Sequence, residues 1–152
     1  MSSPAVVPPR QATAAGIGLL AVIGAVHLLY AQGYYAFVAY VGALFYATAA
    51  GVVVVAVGLV CGARVWGWML GMLLAAGALA GYVVSRTIGL PMFPILPWQD
   101  PFGLVAMAAE ALFIALGVLV LRIPTRAVGA TRLRPLVVRP GAEHRSRSSD
   151  GS

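Results

Sequence analysis

The chain has 152 residues, 61% of them hydrophobic and 9% charged, with a mean hydropathy of +0.94. Soluble domains are about 45–50% apolar and about 25% charged, so composition excludes an ordinary water-soluble domain and points to the bilayer. The formal net charge of +6 comes from ten basic residues, all arginine, and seven of them lie beyond residue 121. That clustering argues for a membrane-surface tail and against a nucleic-acid partner.

In chain order, residues 1–11 hold Pro4, Pro8 and Pro9 and read as a flexible N-terminal arm. Residues 12–30 form an apolar run of about 19 residues, longer than the 7–15 of a signal-peptide core, so a first membrane span is expected. Residues 31–39 carry no charge but are rich in Tyr34, Tyr35 and Phe37, rings that favour the headgroup level. Residues 40–60 form the second span, 66–84 the third and 102–121 the fourth. Each is close to the roughly 20 residues needed to cross the hydrocarbon. The expected fold is an all-α membrane protein, a four-helix transmembrane bundle with both termini cytoplasmic. Residues 122–152 read as a basic disordered cytoplasmic tail, drawn to anionic lipid headgroups.

Orientation follows from the arginines. With both termini inside, that side holds Arg10, Arg64 and the seven tail arginines, and the other side holds Arg86 alone. This matches the positive-inside rule. Abundant Ala, Gly, Val and Arg with no Lys suit a GC-rich coding sequence, hence the expectation of a bacterial plasma membrane. Cys61 stands alone, which excludes an intramolecular disulfide and reads as a small apolar residue.

Helical periodicity then picks the inward faces. Gly67, Gly71, Gly77 and Gly81 form two GxxxG patterns within an arc of about 120°, a helix-packing face for the bundle or for a homo-oligomer seam. Ser85 shares that face, with Tyr82 at its border. On the fourth span, Gly103, Ala106 and Gly117 lie within about 40° of Glu110, and on the first, Gly16, Leu20 and Ile23 lie within about 40° of His27. A carboxylate among small residues is expected to face other helices.

The polar chemistry of the apolar region is thus concentrated in His27, Tyr82, Ser85, Arg86 and Glu110, a ligand- or ion-binding set at the outward end. A charge at the bilayer centre costs about 2.5–3.5 kcal/mol even on the lenient scale, which favours pairing Glu110 with Arg86 or His27. Asp100-Pro101 has the chemistry of a helix cap followed by proline at the first helical position. Residues 85–101 include Pro91, Pro94, Pro97 and Pro101, which stiffen the loop. It either lies on the membrane surface or forms a lid over the polar set.

Ser85-Arg86-Thr87-x-Gly89-Leu90-Pro91, followed by Trp98, Pro101, Gly103 and Glu110, with His27 and Tyr30 in the first span, resembles uncharacterised small four-span bacterial integral membrane proteins. The resemblance covers about residues 12–121 and implies a shared fold and site, with no activity to carry over. No HExxH, nucleophile elbow, Walker A or dinucleotide fingerprint occurs. One histidine outside the tail excludes a bis-histidine haem within one chain, and His27 with Glu110 is short of a metal's usual ligand set. No cofactor or metal is therefore expected. The leading expectation is a binding, sensing or accessory subunit, with a membrane-protein partner or a second copy as its company. A small proton- or ion-coupled transporter acting as an oligomer is the alternative, and a membrane-embedded enzyme the third.

Overall fold

The computed structural model describes residues 9–122 and is all-helical there. The arm over 1–8 and the tail over 123–152 lie outside the described residues. Four helices follow one another: α1 (Pro9–Phe37), α2 (Ala39–Val60), α3 (Arg64–Thr87) and α4 (Pro101–Arg122). They contain 29, 22, 24 and 22 residues. At 1.5 Å per residue even the shortest reaches about 33 Å, so all four are long and apolar enough to cross a membrane.

Helix α3 extends past the expected 66–84 at both ends, so Ser85 and Arg86 are helical, and α1 is longer at both ends too. Helix α1 begins at Pro9, where a residue without an N–H loses no helical bond. It also runs through 31–37, so Tyr34 and Phe37 are helical. The first connection shrinks to Val38, whose extended backbone (φ −142°, ψ 103°) breaks the helix. Val38 donates its N–H to Tyr34 O at 2.7 Å, and its own carbonyl accepts from Val41 and Gly42. Gly42 is required there: a Cβ would overlap the backbone of Tyr35.

The second connection is equally short. Gly62 takes φ +84°, a left-handed value suited to glycine. Cys61 caps α2 and is exposed, against the usual burial of a free cysteine. Arg64 then donates from Nη2 to Val120 O at 2.7 Å, tying this turn to the last turn of α4, where a cation complements the helix dipole.

Each helix packs on its two neighbours in the ring α1–α2–α3–α4, and the diagonal pairs stand apart. The half of the bundle nearest Arg64 is filled. Trp68 is fully buried and stacks on Phe113 at 5.0 Å. A Cβ on Gly16 or Gly117 would strike the Trp68 ring or Met72 beside it, so the indole spans the axis from α3 toward α1. Leu20, Ile23, Val55, Leu59 and Val120 complete this plug. Among small residues in lipid, such close packing is the main source of helix association.

The four glycines of α3 divide at this level. Gly67 packs on Leu59 and Gly71 on Phe113 and Val55, each closer than a Cβ would allow. Gly77 and Gly81 have nothing within 4 Å of where a Cβ would stand. Those two were expected to pack helices; instead they border empty space. The α2–α3 seam is therefore closed near Arg64 as far as the Gly51–Leu74 contact and open beyond it.

Candidate functional site: a cavity with a polar back wall

The space beside Gly77 and Gly81 is a cavity of about 560 Å³. It falls within the roughly 300–1,000 Å³ usual for small-ligand sites. All four helices and the α3–α4 loop line it. Its surface is largely apolar, with the polar groups gathered on α1, α4 and the end of α3.

The deeper polar pair joins α1 to α4. His27 Nε2 stands 3.9 Å from Glu110 Oε1. Both residues are buried, Glu110 at 2% exposure. The His27 Nδ1–H donates to Ile23 O at 2.9 Å, the carbonyl one turn back. That bond fixes the ring and leaves Nε2 to face the carboxyl. A separation of 3.9 Å is too long for a hydrogen bond, but one hydroxyl oxygen about 2.8 Å from each atom would bridge them. Phe45 of α2 covers the imidazole at 5.0 Å between ring centroids.

The second polar group lies about 15 Å along α4 from the first, from the ten-residue separation of Asp100 and Glu110. Asp100 Oδ1 accepts the Tyr30 hydroxyl at 2.9 Å. Its Oδ2 lies 3.5 Å from Arg86 Nη2. Arg86 also donates from Nη1 to Ser85 Oγ at 2.7 Å, and its guanidinium lies over the Tyr82 ring at 3.7 Å. Ser85 in turn donates to Tyr82 O at 2.8 Å. Arg86 Nε is buried without an acceptor, so the guanidinium is not fully satisfied within the fold.

Arg86 therefore pairs with Asp100, where the sequence favoured Glu110 as a partner. The reason is level: Arg86 ends α3 beside the start of α4, whereas Glu110 lies nearly three turns deeper. Asp100 precedes α4 as expected, and its carbonyl accepts the first helical bond from Leu104 at 2.9 Å. The carboxylate turns to Tyr30 and Arg86, over Gly103, whose missing Cβ makes room for both Asp100 and the Tyr82 ring. Pro101 occupies the first helical position.

The loop caps the cavity at this end. Gly89 turns at φ +79°, and Phe93 donates its N–H to Leu90 O at 3.0 Å. Leu96 N–H reaches back to Ser85 O at 3.1 Å. This fold drives Phe93, 8% exposed, against Tyr34 at 5.5 Å and Phe37 at 5.9 Å. The Tyr40 hydroxyl holds the loop by donating to Pro91 O. The Tyr82 hydroxyl donates to Trp98 O at 3.3 Å, and the two rings meet edge to face at 6.0 Å.

All five residues expected to form a site, His27, Tyr82, Ser85, Arg86 and Glu110, line this cavity. Tyr30, Tyr34, Thr48 and Asp100 line it too. Tyr30 and Tyr34 follow His27 at three and seven residues, a helical face readable in the sequence once α1 is extended to Phe37. Among the described residues no group of three or more His, Cys, Asp or Glu could hold a metal ion. No family model matches the chain, and no curated protein or solved structure matches it either.

Proposed function

We propose that the chain is a multi-pass protein of a bacterial plasma membrane, both termini cytoplasmic, that works by binding a small ligand in the cavity between its helices. The observation that carries this reading is convergence. His27, Tyr30, Arg86, Asp100 and Glu110, from three helices and one loop, all border a single cavity in an otherwise apolar protein. Buried ionisable groups in a membrane span are costly and are a functional-site hypothesis by default. A purely structural pair needs no 560 Å³ of space beside it.

The arginine distribution supports the orientation, with Arg86 and the loop-capped end of the cavity outward. On this reading the ligand meets the polar groups from the outer half of the bilayer. The Trp68–Phe113 plug closes the cytoplasmic half. That favours a binding, sensing or accessory subunit over transport, since a single chain would have to part this plug to pass a solute.

Substitution separates binding from packing. Glu110→Gln is expected to retain folded yield while ligand-dependent behaviour is lost. A fall in folded yield with no ligand-dependent phenotype would assign the cluster to packing. Single-cysteine labelling from each side of the membrane, in a Cys61→Ser background, tests the orientation; an outward tail would overturn it.

A further inference from the structure

The cavity has a front and a back. Its back wall is the α1–α4 contact, which carries His27 and Glu110. Its front is the α2–α3 seam beyond the Gly51–Leu74 contact, where Leu44 of α2, 57% exposed, and Gly77 of α3, also exposed, both line the cavity. A residue can line the cavity and be exposed only where the cavity reaches the side of the bundle. Such an opening in an apolar four-helix protein faces hydrocarbon, not water. Along α3 the lining runs from Leu70 to Arg86, about 24 Å of helix. The site is thus an elongated apolar slot leading from the bundle's flank to a polar back wall.

The polar wall also has a charge character. Arg86 and Asp100 are of opposite sign and in contact. His27 and Glu110 sharing one proton are neutral as a pair in either arrangement, imidazole with carboxylic acid or imidazolium with carboxylate. No unmatched charge is offered to an ionic headgroup. What the wall offers is hydrogen bonding: the 3.9 Å gap between His27 Nε2 and Glu110 Oε1 and the Tyr30 and Tyr34 hydroxyls.

Resting on the binding reading above, we propose that the ligand is an uncharged amphiphile that enters sideways from the lipid through the α2–α3 seam. Its hydroxyl head bridges His27 and Glu110, donating to one and accepting from the other, and its apolar chain lies in the slot beside Gly77 and Gly81. The two glycines keep the slot open. Because nothing lies within 4 Å of a Cβ at either position, a larger side chain there fills the slot without a backbone clash.

The test uses the full chain in phosphatidylcholine nanodiscs and three photoreactive probes of equal chain length: a monoacylglycerol, a fatty acid and an alkylamine. The monoacylglycerol is expected to crosslink to the slot-lining parts of α2 and α3, at least tenfold more than the two charged probes. Gly81→Leu and Gly77→Leu should cut that labelling about tenfold while thermal unfolding shows the fold intact. Glu110→Gln should cut it as well. Labelling lost in Glu110→Gln but unchanged in both glycine variants would overturn the lateral slot and leave the binding reading standing. Labelling indifferent to all three variants would overturn both. Preferential labelling by a charged probe would overturn the assignment of an uncharged head.

Discussion

His27 and Glu110 face each other across the α1–α4 interface at 3.9 Å, 83 positions apart in sequence, with the imidazole locked by its bond to Ile23. Neither is solvated: 8% and 2% of their surfaces are exposed. The pair is close enough to interact and too far apart to be complete. Both residues border the cavity.

The pair predicts a measurable coupling. In a double-mutant cycle with His27→Phe and Glu110→Gln, read by denaturant titration in mixed micelles, the two effects should be non-additive by about 0.5–3 kcal/mol. Additivity within a few tenths would mean that the two groups do not sense each other.

Arg86 and Asp100 predict a different pattern. Removing one partner of a largely buried pair strands the other, at a cost approaching the roughly 3–5 kcal/mol seen for fully buried pairs. Asp100 retains 21% side-chain exposure, so Arg86→Met should sit at or below the low end. Arg86→Met with Asp100→Asn should recover part of the loss. Tyr30→Phe, which removes one hydrogen bond to Asp100, should cost only about 0.5–1.5 kcal/mol. Unfolding midpoints of the three variants give the order.

The glycines of α3 should split by position. Gly71→Leu meets Phe113 and Val55 closer than van der Waals contact and should destabilise by about 1–3 kcal/mol through overpacking. A Cβ at Gly81 meets nothing within 4 Å, and Gly81→Leu replaces a poor helix former, so its stability should hold or rise by up to about 1 kcal/mol. Equal losses at both positions would mean that the slot is closed.

Trp68 anchors the filled half, stacked on Phe113 with no exposed surface. Trp68→Ala should cost about 3–5 kcal/mol. The loss should appear as a lower unfolding midpoint, and Gly16→Ala should lower it too, because a Cβ there collides with the Trp68 ring.

Much of this was legible in the residues. Four apolar runs near 20 residues predict four helices, since lipid leaves the backbone few other ways to satisfy its hydrogen bonds. The same residues also drew attention to His27, Arg86 and Glu110. Helix continuation through Tyr34 to Phe37 was not legible: aromatic, uncharged residues suit both an interface and a helix end, and only Val38 breaks the run. Charge pairing was legible only in part: the residues pointed to His27 as one of two partners for Glu110, but not to Asp100 as the partner of Arg86. Composition shows that Glu110 needs a partner, but depth along α4 decides which, and Asp100 lies level with Arg86. The slot was hidden for a related reason. Gly67 and Gly77 look alike in sequence, and only the fold shows that a Cβ at Gly67 would meet Leu59 while one at Gly77 would meet nothing within 4 Å.

Occupancy of the slot by an uncharged amphiphile is tested most directly by ligand-linked stability. The full chain in phosphatidylcholine nanodiscs is unfolded at increasing monoacylglycerol concentrations, beside Gly81→Leu. Occupancy at 100 times the dissociation constant stabilises a folded state by about 2.7 kcal/mol. The unfolding midpoint should therefore climb with concentration in the wild-type chain and stay flat in Gly81→Leu. A climb in both chains, or in neither, would contradict it.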